Sequence, residues 1–352
     1  MRLFRNTDSF TCLLLIIFVS SCMPSPSNLF MNGAKVKRQP VPETLYPLLI
    51  SESKEYEQLS QIGPLDSGHV LVLFRESLEN NPPHGLLSLY DISKDTMLIN
   101  HVYDASGMVF FNPRTYQGKS YADILLSLTS MVVLDNENLL TSTYPFIIDT
   151  IDFKEFAPYS LYNIKSVERV DSTFITEESY YGHVFVRKYS PTGLIMKNYP
   201  AYDIASCSYS DFWNGLYVKP DGTAAVMAME FLDKLNFLDL HGDNHFTVIT
   251  DKRTRDTHIL NKKHTRFSDR CSFYRNAFVT DNYIYVIYNP GIPEAEAKDM
   301  ATQPFLRVFT WDGIFKAQYK LNKSIFSFVV DEKNHFLIGI TWENRIVQYL
   351  LP

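Results

Sequence analysis

An aspartate that recurs at the ends of short apolar segments constrains this chain more than any other feature. Residues 328–349, FVVDEKNHFLIGITWENRIVQY, read as three short strands, with an Asp-led turn after the first and a Glu-Asn turn after the second. The same punctuation recurs upstream, so that Asp66, Asp135, Asp171, Asp221, Asp281 and Asp331 each close an apolar segment and open a turn. A second β-rich run follows each of them: HVLVLF from His69, NLLTSTY from Asn138, TFITEES from Thr173, TAAVMAM from Thr223, YIYVIY from Tyr283 and HFLIGIT from His335. Third runs begin at Leu86, Pro145, Val184, Leu235, Phe305 and Arg345, and runs such as MLINHVY, LIMKNYP, HFTVIT and IFKAQYK close most units. Alternation and β-branched or aromatic content make each run a strand. The Asp spacings of 36 to 69 residues bracket a propeller-blade period. The pattern predicts an all-β fold, a six-bladed β-propeller of four-stranded antiparallel blades.

The sixth unit has three strands before Pro352, and a spare strand, TLYPLLISES from Thr44, lies near the N-terminus. That segment is expected to supply the outer strand of the last blade and to close the ring, because closure removes exposed sheet edges.

Residues before Thr44 read differently. Arg2 and Arg5 precede the apolar run LLLIIFV at 13–19, then Ser20, Ser21 and Cys22. A charged start, a short apolar middle and small residues are the layout of a secretory signal, and the run is too short to span a bilayer. The VSSC ending resembles a bacterial lipobox, which makes Cys22 the lipidated first residue of the mature chain. The expected organisation is a signal peptide over 1–21, a lipidated Cys and flexible Pro/Ser-rich tether over 22–43, and a propeller over 44–352. Met23 stands where an Asp would resemble an inner-membrane retention signal, so an outer-membrane location is expected. Of the four cysteines, Cys207 and Cys271 begin similar pieces, CSYSDFWN and CSFYRNAF, and their pairing stays open.

The lipobox, the Pro/Ser tether, the six meanders and the turns SPTG and TWDG before a fourth strand resemble the TolB-like six-bladed propeller lipoproteins of Bacteroidetes. The resemblance covers almost the whole mature chain. It implies a fold and a cell-envelope location, and it carries no catalytic residue across, since that family has no established shared activity.

In a propeller the 1–2 and 3–4 turns lie on one face, and the 2–3 loops and blade-to-blade links lie on the other. The long insertions, 75–85, 104–123, 201–215, 250–276 and 289–304, fall on the second face, which is the expected binding face. Arg114, Tyr116, Tyr209, Asp211, Trp213, Arg270 and Tyr274 are its candidate ligand-binding residues, because aromatic and Arg side chains stack on and hydrogen-bond to sugars and peptides. The competing reading for each aromatic is packing between blades. A net charge of -6 offers no field for a nucleic-acid backbone, and the basic residues within 252–270 read as a solvated loop.

Motifs for catalysis are thin, with no HExxH, GxSxG, P-loop or paired CxxC. His241 and His245 fall on a hairpin, where i and i+4 share no face. Asn163, Asn214 and Asn276 sit near inner-strand starts, where related six-bladed lactonases hold calcium, but they lack the carboxylates a hard cation needs. The expected function is a lipid-anchored, non-enzymatic binding or scaffold module for a protein partner. A glycan binder or a metal-dependent hydrolase is the alternative.

Overall fold

The computed structural model describes residues 34–35, 40–51, 58–64, 69–75, 85–103, 110–116, 119–127, 130–135, 147–152, 164–180, 183–199, 214–230, 232–250, 271–293 and 303–352. No helix occurs among them. The N-terminal segment contributes β1 (Ala34–Lys35), β2 (Glu43–Leu45) and β3 (Pro47–Ile50). Sheet I holds β4 (Gln58–Pro64), β5 (His69–Arg75), β6 (Gly85–Asp91) and β7 (Thr96–Tyr103). Sheet II holds β8 (Phe110–Tyr116), β9 (Lys119–Ser127), β10 (Ser130–Asp135) and β11 (Ile147–Asp152). Sheet III holds β12 (Ile164–Val170), β13 (Thr173–Tyr180), β14 (His183–Tyr189) and β15 (Ile195–Tyr199). Sheet IV is built from β16 (Asn214–Val218), β17 (Ala224–Met229), β18 (Leu235–Asp239) and β19 (His245–Ile249). Sheet V follows with β20 (Cys271–Val279), β21 (Tyr283–Pro293), β22 (Phe305–Thr310) and β23 (Phe315–Leu321). Sheet VI comprises β24 (Ile325–Asp331), β25 (Phe336–Thr341), β26 (Ile346–Leu350) and the N-terminal β3. Within each meander the strands pair antiparallel, and the first strands of neighbouring sheets touch: β24 with β4, β4 with β8, β12 with β16, β16 with β20, and β20 with β24.

The core lies between sheets, and strand alternation builds it. In β17, Ala225 and Met227 face sheet III beside Ile175 and Val186. Their neighbours Val226 and Ala228 face sheet V beside Phe273, Val286 and Phe309. In β25, Leu337 packs towards Leu306 of sheet V, whereas Ile338 packs towards Val70 and Val72 of sheet I. Because both faces are covered, β17 reads AAVMAM, a near-continuous apolar run.

The spare N-terminal strand does pair with β26, antiparallel, with Ile50 opposite Val347 and Pro47 opposite Tyr349. Two short strands fall within or at the end of the span 22–43. Ala34 and Lys35 lie parallel to Val248 and Ile249 as a fifth strand of sheet IV. Glu43, Thr44 and Leu45 lie parallel to Tyr319, Lys320 and Leu321 as a fifth strand of sheet V. Strands β1, β2 and β3 thus lie at the edges of sheets IV, V and VI in turn. Residues 1–33, with the signal and Cys22, lie outside the described residues.

Sheet II corrects the frame of the repeat. Asp135 ends the third strand there, PFIIDTI supplies the fourth, and the expected insertion 104–123 contains β8 and the start of β9. NLLTSTY at 138–144 and Asp66 lie outside the described residues. The physical reason for the slip is that an Asp turn serves both hairpins of a meander. Asp221 accepts the Thr223 N–H at 2.9 Å in a 1–2 turn. Asp91 accepts those of Ser93 and Lys94 at 2.9 and 3.1 Å in a 3–4 turn, and Asp239 those of His241 and Gly242 at 2.9 and 2.7 Å in another. An Asx turn marks a hairpin and not its rank within the meander. First strands begin at Gln58, Phe110, Ile164, Asn214, Cys271 and Ile325.

Leu45 is 6% exposed and packs among Tyr285, Leu306 and Leu321, whereas Val41 is 88% exposed. Leu45→Ala is expected to destabilise the protein by about 2–4 kcal/mol and Val41→Ala by less than about 0.5 kcal/mol in urea unfolding. Equal effects would return the segment to the status of a tether.

Candidate functional site

The ends of the sheets that carry the 2–3 connections also carry the starts of the first strands. In sheets IV, V and VI the first strands are locked together by one chain of hydrogen bonds. Tyr217 of β16 donates from its hydroxyl to Asn276 Oδ1 of β20 at 3.0 Å and accepts the Ala277 N–H at 3.0 Å. Asn276 in turn donates from Nδ2 to the Phe326 carbonyl of β24 at 3.1 Å. Gly215 makes room for this arrangement, since a Cβ there would meet the Tyr217 ring at 2.5 Å. Asn276 therefore serves as a bracket between three sheets.

Beside the bracket stands a half-buried cluster that the sequence did not single out. The Arg275 guanidinium lies 5.4 Å from the Trp342 ring centroid, and Trp342 packs on Phe326 at 4.7 Å with the planes tilted by 40°. Arg275 Nε donates to Ser272 Oγ at 3.2 Å. Trp342 sits in the 2–3 turn of sheet VI, where Asn344 adopts a φ of 61° and accepts the Leu59 N–H of sheet I at 2.7 Å. Trp342 directly follows β25, so the signal was a Trp in a tight turn at the loop-bearing end. An arginine stacked on tryptophan on a fixed backbone is the composition of a protein-binding anchor.

Deeper, between sheets IV and V, a charged network is fully enclosed. Asp233, in the 2–3 connection of sheet IV, accepts from Thr250 Oγ1 at 2.5 Å and from Tyr274 Oη at 2.9 Å. Arg307 Nη1 stands 3.9 Å from the same carboxylate and donates to Thr250 Oγ1, while its Nε donates to Gln318 Oε1 at 2.7 Å. Its guanidinium stacks over Tyr288, 3.1 Å from the ring centroid. In sheet III a second buried carboxylate, Glu178, accepts from Thr176 at 2.7 Å, Arg187 at 2.7 Å and Tyr189 at 2.5 Å.

Burial, then the Asp233 carboxylate, raises the Tyr274 pKa well above its ordinary value. Burial raises that of Tyr217, and burial followed by the Glu178 bond pushes Tyr189 up to about 12. At neutral pH all three stay protonated and act as fixed donors, not as bases. Among the described residues no group of three His, Cys, Asp or Glu side chains stands together to hold a metal. His241 and His245 lie at the β18–β19 hairpin as expected, with the His241 N–H on Asp239.

The expected ligand-binding residues fare as follows. Tyr274 is 1% exposed and packs 5.3 Å from Tyr288, so for this residue packing between sheets is the correct reading. Arg114 and Tyr116 fall on β8, paired with Tyr121 and Lys119, and not on a long loop. Tyr209, Asp211, Trp213 and Arg270 lie outside the described residues, as do Asn163 and Cys207. Asn214 and Cys271 begin β16 and β20.

A family model described as TolB-like 6-blade propeller-like matches residues 120–333, more than half of the chain. Among solved structures the chain is similar to a member of the DUF4221 family from Bacteroides vulgatus, at 10% identity and a TM-score of 0.53. That match covers 88% of this chain and 96% of the other. It is also similar to Raptor of Chaetomium thermophilum, at 9% identity and a TM-score of 0.49, over 88% of this chain and 29% of Raptor. A likeness at these identities concerns the fold alone, and one with a TM-score below 0.5 carries no argument. None of the curated proteins matches the sequence.

The enclosed network yields a prediction. Arg307→Met removes the guanidinium beside the buried Asp233 and is expected to cost about 3–5 kcal/mol in urea unfolding. The double variant Arg307→Met/Asp233→Leu should recover part of that loss. No recovery would mean that Arg307 acts through its stacking on Tyr288 alone.

Proposed function

Because the chain belongs to the TolB-like six-blade propeller-like family, we propose that sheets I–VI are the blades of one ring, closed by β3, and that the protein is a non-enzymatic binding or scaffold module. The ring presents its loop-bearing face to a protein partner, and a lipid on Cys22 holds it to the outer membrane. The observation that carries the binding role is the Arg275–Trp342–Phe326 cluster. It combines the residue types that dominate interface energetics with a backbone fixed by the Tyr217–Asn276–Phe326 bracket. Strands β15, β19 and β21 end on that face, and β16, β20 and β22 begin there. Tyr217, Tyr274 and Tyr189, held protonated, supply rigidity and no proton transfer, which is the pattern of a recognition surface.

The test is a crosslinked pull-down of the full lipidated protein from its native membranes, with Arg275→Ala/Trp342→Ala in parallel. A partner recovered with the unaltered chain and at least tenfold reduced with the variant, at equal thermal stability, supports the reading. A partner retained by the variant moves the interface elsewhere. Mass spectrometry of the mature N-terminus checks the anchor independently, and an unmodified Cys22 removes it.

A further inference from the structure

Exposed large hydrophobic side chains among the described residues have a restricted distribution. Apart from Leu350 at the end of β26, they lie on the N-terminal segment, on outer strands or on the hairpins that lead into them. On sheets III, IV and V they are Leu194, Ile195 and Met196, exposed by 70%, 51% and 59%, then Phe246 and Ile314. Soluble surfaces carry scattered apolar residues, but a contiguous apolar strip marks a contact with something.

Contacts between the three sheets bring these residues to one side of the molecule. Lys197 of β15 reaches across to sheet IV, where its ammonium bonds to the Gly242 carbonyl and lies 3.2 Å from Asp243. The β22–β23 hairpin leans on sheet IV from the other side. Gly313, with φ at 79°, sits so close that a Cβ would meet Phe246 and Val248 at 2.7 and 2.9 Å. Phe246 itself stacks flat on Phe237 at 4.5 Å, which fixes its exposed edge.

The chain's own anchor identifies what covers the strip. β1 lies on the outer edge of β19, in the middle of these three sheets. Twelve residue steps separate Ala34 from Cys22, so even fully extended they span only about 40 Å. A tether ending at residue 43 would have allowed nearly twice that. We propose that the outer rim of sheets III–V is a membrane-docking surface, which rests side-on against the bilayer to which Cys22 is anchored. The occupant is a phospholipid surface, and Leu194, Ile195, Met196, Phe246 and Ile314 insert at headgroup depth. Asp239 is engaged by backbone N–H groups, Asp243 by Lys197 and Asp312 by Thr310, while Glu43 of β2 is exposed, which suits zwitterionic headgroups rather than a strongly anionic surface. In this pose the loop-bearing face, with Arg275 and Trp342, is turned along the membrane plane and stays accessible.

The inference rests on the lipid anchor proposed above, and the experiment separates the two. The full lipidated protein, carrying Cys207→Ser/Cys271→Ser, is reconstituted in phosphatidylcholine vesicles that contain lipids with a nitroxide on the upper acyl chain. Single bimane reporters are placed by Ile195→Cys, Ile314→Cys, Leu48→Cys and Glu343→Cys. Quenching at 195 and 314 at least twofold deeper than at 343, and deeper than at 48, is expected. Leu194→Ser/Met196→Ser should lower quenching at 314 while the protein stays vesicle-bound. Vesicle-bound protein with equal quenching at all four sites, or deepest quenching at 343, overturns the docking pose and leaves the anchor standing. Loss of quenching at 195 with copy-to-copy crosslinking there assigns the strip to a second copy and overturns it too. Protein that carries no acyl chain and stays off vesicles overturns the anchor and the pose together.

Discussion

Pairing of β3 with β26 is the interaction on which the remaining architecture depends. It joins residues about three hundred positions apart, with the Ser51 N–H on the Ile346 carbonyl at 2.8 Å and the Ile346 N–H on Ser51 Oγ at 2.8 Å. Bringing two chain ends together costs entropy that rises only slowly with the length between them. Once formed, the pairing seats Leu45 between sheets V and VI, and β4 can then start against β24. Sheets I and VI share a core of Val72, Tyr90, Ile338 and Ile340, which neither could bury alone. A meander with both faces apolar has no stable existence in water, so sheets IV, V and VI, whose apolar side chains pack against a sheet on either side, each depend on two neighbours.

How much could be read from the sequence follows from which signals are local. Alternation and β-branched content are local, and strands β5, β13, β17, β21 and β25 fall where the second runs were placed. Turn chemistry is local as well, but it is ambiguous in rank. Asp91, Asp221 and Asp239 make the same side-chain-to-backbone bonds in different hairpins, and that equivalence misplaced the frame of sheet II by two strands. The edge strands β1 and β2 left no trace in composition, because two or three residues that pair through the backbone need no particular side chains. Only Leu45, apolar and buried between two exposed neighbours, carried a hint.

The candidate site shows the same division. Tyr274, Arg275 and Asn276 are consecutive, yet they do three different jobs. Tyr274 turns inward to Asp233, Asn276 brackets three sheets, and Arg275 stacks on Trp342. A bulged register between Tyr274 and Ala277 separates these roles. Sequence alone does not announce a bulge inside a strand without Gly or Pro. Trp342 belongs to another sheet altogether, so its meeting with Arg275 is a consequence of packing between sheets V and VI.

The buried ionic network and the exposed apolar rim are opposite departures from the ordinary partition of residues, and they occupy opposite places. Asp233 and Arg307 sit where sheets IV and V meet near the loop-bearing end, where charges taken out of water add little net stability even when paired. What the ions supply is direction: Asp233 accepts from Thr250 and Tyr274 along fixed vectors, and Arg307 takes up the stack on Tyr288. These bonds fix the strands from which the segments 251–270 and 294–302 depart. Positional accuracy is what a recognition face requires, since loops ordered in advance lose less entropy on binding. The rim proposed to dock on the membrane needs no such accuracy, because a lipid surface is deformable and reads area rather than geometry. Charge enclosed behind the proposed binding face, and apolar surface left open at the edge where the N-terminal segment joins, are therefore two parts of one division of labour.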